Sequence, residues 1–469
     1  MKIAIRAAVL TAALVSGAGC AVAPIDRATD NAAKRVEKIV GAAPVWPPPA
    51  DGTDSAPEIR EPLTLPAALA LAFTRNQDIR RQYARLGIAH ADLQEAARIA
   101  NPTLSLAWLD PSNGGLDQTK RGVSAGFADL LLLPSRRRLS SAEFRRVELT
   151  VAAGLVALAH NIEVTWYAHL GALQIAAMRD TVARAAENEA ALAQRYYEAG
   201  NIDRLQLDLQ TAAAARARID ALRARSDAAA SRADLARLLG LRADASWRTI
   251  DRLPAPPEEP LPGDKLLPQA LNQRLDLAAV RDEVSILEDS FGVTKRWRLL
   301  GSVEAGYESE REPDGSKLRG PTLNFELPLF NQGQGSVERA EARLLDARAR
   351  RDALVRDVGD EVSTGIERVT IARDITDRYR NSLVPSATSA VARRQERVNF
   401  MLDSVFELIR AKRDEYDAWQ AYLESVRDYW IARTALRAAV GGQLPGDEEA
   451  GTSTIGVDEI EHMDPGEQP

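Results

Sequence analysis

The chain has 469 residues, enough for two or three globular domains, with a formal net charge of −7 and a pI near 5.5. Acidic and basic residues are interspersed along it without a basic stripe, which excludes an electrostatic footprint for nucleic acid. Aromatic residues make up only 5% and Cys20 is the sole cysteine, which excludes both a large aromatic core and an intrachain disulfide framework.

Lys2 and Arg6 give a positive start to the short apolar run "IAIRAAVLTAALV", and small residues "SGAG" close it, so residues 1–19 read as a signal peptide. The run is too short to span a bilayer. Residues 20–62 read as an irregular linker, proline-rich at "VWPPPADGTDSAPEIREP". Cys20 follows "GAG" in the manner of a lipoprotein signal and is a candidate lipid anchor; Gly17 stands where that pattern usually has leucine. An unmodified cysteine beside an ordinary cleavage site is the other reading. Ala21 lacks the charge associated with inner-membrane retention, so an acylated form is expected in the outer membrane.

Residues 63–250 form a first repeat. A helix opens at Thr64-Leu65-Pro66 and ends at Asn101-Pro102. Strands follow near 102–110 and 121–133, alternating Leu104, Leu106 and Trp108, then Val123, Ala125 and Phe127, with polar or small residues. A helix from about Arg137 to Tyr197, roughly 90 Å long at 1.5 Å per residue, breaks at Gly200 and returns to Gly240. A proline-rich linker over 251–265 leads into a second repeat over 266–443. There a helix leads to strands near 300–309 and 320–329. A second very long helix bends at Pro385, turns at "NFMLDS" and returns to Gly441-Gly442. Residues 444–469 read as a disordered acidic tail.

The fold class is therefore mainly α with a small β part: tandem-duplicated long helical hairpins plus two β-hairpins. Four strands cannot close a barrel, which takes at least about eight, so strands crossing a membrane would belong to a barrel shared between chains. Glu304, Glu308, Asn324 and Glu326 alternate with apolar residues and are the lumen-facing candidates, because glutamates facing water cost little. An exposed hairpin on a soluble coiled coil is the competing reading. The stripe Leu354, Val358, Val362, Ile366 and Val369 suits a tunnel wall or a rod equally.

The stretches "LTLPAALALAFTRN", "NPTLSL", "ELPLFNQGQG", "YEAGN", "RLDL" and the closing "GG", in this order and in duplicate, resemble the outer-membrane factor (TolC-like) family from Leu63 to Gly442. The resemblance implies a homotrimer: an α-barrel tunnel across the periplasm joined to a shared 12-stranded outer-membrane β-barrel. It implies a passive exit duct, with a periplasmic adaptor protein and an inner-membrane efflux pump as partners and outer-membrane lipid around it. Localisation would be the cell outer membrane with a periplasmic extension. It places adaptor-contact tips at Gly200 and Asn201 and at Asn399, Phe400, Met401 and Leu402. Packing of those apolar residues against the neighbouring hairpin is the alternative. Periplasmic gate candidates are Asp403, Glu407 and Arg410; Arg410 stands where a second acid is often found, and a Glu407–Arg410 salt bridge on a helix face is the competing role. The second tip is similar to branches associated with heavy-metal resistance, so the cargo would be metal cations or small toxic compounds. A type I protein secretion duct and a periplasmic trimeric scaffold are the alternatives.

No catalytic motif is present, so the chain is not read as an enzyme, and no cofactor is implied. His160 and His169 lie nine residues apart on opposite sides of a helix and cannot share a metal; the methionines are scattered, so no metal site is expected.

Overall fold

The computed structural model describes residues 25–45, 62–110, 117–242, 244–299, 303–447 and 454–455. The first half holds α1 (Ile25–Val40), α2 (Leu65–Arg75), α3 (Gln77–Ala96), β1 (Thr103–Leu109), β2 (Gln118–Gly126), α4 (Phe127–Glu198) and α5 (Arg204–Leu238). The second holds β3 (Leu253–Pro254), α6 (Gly263–Gln273), α7 (Leu275–Trp297), β4 (Val303–Arg311), β5 (Lys317–Phe325), α8 (Gln334–Arg378), α9 (Val384–Asn399) and α10 (Val405–Val440), then β6 (Thr454–Ile455). The duplication is direct: α2-α3-β1-β2-α4-α5 is matched by α6-α7-β4-β5-α8-α9-α10. Gly240 and Gly441 take the same left-handed turn after the returning helix in each half (φ 68° and 70°).

Four sequence expectations change. The 20–62 segment is not irregular throughout: α1 buries Ala28, Ala32, Val36 and Ile39, an i, i+4, i+8, i+11 stripe made inconspicuous by small alanines. The second strand ends at Gly126 rather than near 133, and α4 starts at Phe127 rather than near Arg137. The run Leu130 to Leu133 has no period-2 alternation, and leucine is a strong helix former. The fourth strand covers Lys317–Phe325, so residues 326–333 lie outside the ladder, where Pro328 has no N–H to donate. Finally, 444–447 and 454–455 are ordered parts of the fold. Cys20, the signal segment and the proline-rich stretch 46–61 lie outside the described residues.

The second long helical run bends as its sequence requires. Pro385 cannot donate to the carbonyl four residues back, and the preceding turn Tyr379–Leu383 is π-helical, with the Val384 N–H reaching the Tyr379 carbonyl instead.

The chain packs as two compact units, each drawing on both halves. One comprises Tyr83–Val151 and Leu275–Val355 with the start of α1, and carries a four-stranded antiparallel sheet of order β1-β2-β4-β5. Val284, Leu344 and Ala347 form one cluster of its helical core, with Leu287 and Phe291 against them. Ion pairs Arg350–Glu283 (2.9 Å) and Arg348–Glu288 (2.6 Å) tie α7 to α8.

The other unit comprises Ala33–Gln82, Ala152–Arg274 and Arg356–Pro469. It concentrates the scarce aromatics: Trp166, Trp247, Tyr429 and Trp430 are buried, and Tyr167 stacks on Trp430 at 5.1 Å. The Trp430 indole N–H donates to the Pro254 carbonyl (2.7 Å). By length and composition Leu130–Glu198 passes as a membrane-crossing helix, but 56% of its most apolar window is buried, as in a core helix. Arg433 and Arg437 on α10 hold residues 444–447. Arg433 Nε donates to Asp447 (2.9 Å) and Arg437 lies 3.1 Å from the other Asp447 oxygen. Asp447 also accepts from the Leu444 N–H (2.8 Å). Arg437 further donates to buried Glu163 on α4 (2.9 Å). These buried charges balance, two positive against two negative, which is why a stretch expected to be disordered is held.

Candidate functional site

The sheet is the first candidate element. Register sets its two faces, because directly paired residues project to the same side and alternate along each strand. Leu104, Val123, Tyr307 and Pro321 share one row, and Ala125, Ala305 and Leu323 the next. Val303 pairs Phe325 on the same face. Leu104, Trp108, Tyr307, Leu323 and Phe325 are each more than half exposed, so none of the described residues covers this apolar face. The opposite face carries Ser105, Gly122 and Glu308 in one row and Gly126, Glu304 and Asn324 in another. The register thus brings the expected lumen residues Glu304, Glu308 and Asn324 onto one polar face; Glu326 lies one residue beyond β5. On that face Glu310 receives hydrogen bonds from Gln118 and an ion pair from Lys120 (3.1 Å). Tyr307 occupies mid-ladder, whereas Trp108 sits by the hairpin turn.

β2 pairs with β4, so the two hairpins form one sheet, and β1 and β5 are its edges with no strand partner among the described residues. An exposed edge with one apolar and one polar face is a template for pairing with another chain.

The helical tips are the second element. Asp203 caps α5 by accepting from the Gln206 N–H (2.9 Å), and Ser404 caps α10 by accepting from the Glu407 N–H (3.3 Å). Three residues before each cap stands a left-handed residue: Gly200 (φ 75°) in the first tip and Met401 (φ 60°) in the second. The hydrogen bonds correspond, with Asn201 N–H to the Tyr196 carbonyl and Leu402 N–H to the Arg397 carbonyl, both 2.8 Å. Methionine pays in backbone strain for a conformation glycine adopts freely. Met401→Gly is therefore expected to stabilise the second tip by about 1 kcal/mol, read as slower hydrogen exchange of its amides. Unchanged or faster exchange would contradict the strain.

Phe400, Met401 and Leu402 are 78%, 93% and 66% exposed, and Asn399 ends α9 beside them. Beside them Phe406 meets Tyr196 of the first tip edge-on at 6.2 Å. Asp403 is held by Arg394 (2.6 Å) and Arg397 (2.7 Å), whose hydrogen bonds keep its carboxyl down at about 2. Neither arginine was singled out from the sequence; their i, i+3 spacing ahead of the turn was the available signal. The clasp they make with ionised Asp403 is present above the ordinary carboxylate range and is lost only as pH falls from about 4 towards 2. Glu407 lies 3.8 Å from Arg394 and 4.0 Å from Arg410, both exposed pairs. Of the three gate candidates, Asp403 is thus turned onto its own chain, and Glu407 and Arg410 face one another.

His169 Nδ1 is 2.9 Å from Ser231 Oγ. His160 is buried, and burial with nearby Arg437 lowers it to about 4. Among the described residues no group of histidine, cysteine and acidic side chains could hold a metal.

With this geometry in place, residues 266–442 match the family described as outer membrane efflux protein. No curated protein matches the chain by sequence. Solved structures share its fold. The outer membrane channel CmeC of Campylobacter jejuni superposes with a TM-score of 0.68 at 16% identity, covering 84% of this chain and 91% of that one. CusC, whose structures concern folding and transmembrane channel formation, gives 0.67 at 16%, covering 85% and 99%. The outer membrane protein VceC of Vibrio cholerae gives 0.65 at 17%, covering 81% and 96%. These are channel proteins and not enzymes.

Proposed function

We propose that this chain, whose second repeat matches the outer membrane efflux proteins and which shares the fold of an outer membrane channel over 84% of its length, is a subunit of an outer-membrane exit duct. The observation that carries the reading is the sheet: four strands, an exposed apolar face opposite a polar one, and two edges with no strand partner among the described residues. A soluble scaffold leaves that apolar face in water; a bilayer covers it, and copies of the chain satisfy the edges. Three chains supply twelve strands, in agreement with the trimer that the family resemblance implies. Strands of 7 and 9 residues approach the roughly 9 to 11 needed for a tilted crossing.

In this reading the duct is passive. It carries no catalytic centre, and an inner-membrane pump supplies the energy through a periplasmic adaptor. The exposed Phe400, Met401 and Leu402 at the second tip are the adaptor contact, with Gly200 and Asn201 at the first. Phe400→Asp with Met401→Asp is expected to abolish export while the oligomer still reaches the membrane; persistent export would contradict the docking role. The cargo class that fits best is metal cations or small toxic compounds. Arg394, Arg397 and Arg410 crowd Asp403 and Glu407, so cation selection at the entrance rests on Glu407 alone.

The deciding measurement is the mass of the protein extracted by detergent from purified outer membranes, by size exclusion with light scattering. A trimer in that fraction supports the duct. Recovery as a soluble periplasmic protein, or as a monomer after mild extraction, favours a scaffold.

A further inference from the structure

The apolar face of the sheet does not stay apolar to its end. In the row after Leu104–Val123–Tyr307–Pro321 on the same face, Arg121, Ser309 and Arg319 stand side by side with Leu106. In the next row, nearest the hairpin turns, Arg311 pairs Lys317 and Thr119 pairs Trp108. Neighbouring strands lie about 4.8 Å apart and alternate residues rise about 6.8 Å, so four cations fall within a patch of roughly 10 by 7 Å. All four are exposed, and none has an ion-pair partner among the described residues. The acids of these strands, Glu304, Glu308 and Glu310, all project from the other face, where Lys120 takes Glu310. Like charges packed this closely repel one another unless an anion joins them. Two hydroxyls, Ser309 and Thr119, add donors inside the patch, and exposed Trp108 borders it.

We propose that this patch binds the phosphate groups of a phosphorylated glycolipid in the outer leaflet of the outer membrane. The inference rests on the membrane reading above, which puts the apolar rows against acyl chains and the hairpin turns outermost. A ligand there must be amphipathic, because the cations continue directly into an apolar surface. It must also be anionic, with acceptors that match guanidinium forks, which phosphate oxygens do. Trp108 suits the same depth, where an aromatic ring meets both headgroup and chain.

The test uses the full-length oligomer in phosphatidylcholine nanodiscs, with and without lipid A. Lipid A is expected to raise the temperature at which the oligomer dissociates by several degrees. Lipid A stripped of its phosphates is expected to give no shift. The quadruple variant Arg121→Gln, Arg311→Gln, Lys317→Gln, Arg319→Gln should lose the shift, and the milder pair Lys317→Gln, Arg319→Gln should reduce it. Lys120→Gln on the other face should leave it intact. An equal shift with phosphate-free lipid A, with phosphatidylglycerol, or in the variants overturns the proposal. A fluorophore at Leu104→Cys, in a chain carrying Cys20→Ser, separates the two levels. Without quenching by brominated acyl chains the membrane reading itself fails. Quenching with no phosphate-dependent shift removes only the glycolipid site.

Discussion

Arg437→Met is expected to destabilise the helical unit by about 3–5 kcal/mol, the usual consequence of removing one partner from a buried charge cluster. Arg437 is the one cation between Glu163, which is 1% exposed, and Asp447, and it joins α10 to α4 and to residues 444–447. Without it the pull that opposes burial is gone, so Glu163 must take up a proton to stay in a dry site, while Asp447 retains Arg433. The loss would appear as a lower denaturation midpoint of the purified protein. Burial already pushes the Glu163 carboxyl up to about 7 against the opposing pull of Arg437. A carboxyl raised in the folded state takes up its proton preferentially there. Its stabilising protonation is therefore complete below the ordinary value near 4.5 and lost as pH rises through about 7. The deficit of Arg437→Met should accordingly shrink as the pH is lowered from 7 towards 5. Adding Glu163→Met should restore most of the stability at pH 7, since an apolar pair of similar volume replaces the ion pair at little cost. A deficit independent of pH, with no rescue by the second substitution, would mean that packing of the arginine stem rather than its charge was lost.

Leu323→Arg is the second large effect. Leu323 shares a row with Ala125 and Ala305 and is 64% exposed on the face proposed to meet lipid. A guanidinium near the middle of a bilayer costs about 2–4 kcal/mol at each site, and an oligomer repeats the site in every chain. The expected outcome is a sharp fall in oligomer recovered from outer membranes. The neighbouring substitution Asn324→Arg projects from the other face opposite Glu304 and should be tolerated. Equal tolerance of both would remove the distinction between the faces and with it the shared barrel.

The architecture was legible because its signals are periodic and doubled. Alternation at Leu104 to Trp108 and at Val303 to Tyr307 marked strands, and "YEAGNIDRL" against "VNFMLDSVF" marked two tips whose caps and left-handed residues superimpose position for position. Signals that depend on partners were not legible. Nothing local distinguishes Asp403 as a gate acid from Asp403 clasped by Arg394 and Arg397. Nor does the composition of 444–447 announce order, which comes in part from Arg433, more than ten residues earlier in the chain. Helix α1 was missed because alanine contributes little to an apolar pattern and buries well.

By itself the sequence determined the duplicated order of elements, the strand periodicity and the places where the long helices turn. Each of these depends only on neighbours within a few residues, through backbone preference and side-chain spacing. The tertiary structure alone decided the pairing of β2 with β4 that merges two hairpins into one open-edged sheet. It also decided the register that puts Arg121, Arg311, Lys317 and Arg319 on one face and the glutamates on the other, and the burial of Glu163 against Arg437. Those outcomes rest on contacts between residues far apart in the chain, where one residue of slip reverses a face and a single missing cation leaves a buried charge unpaired.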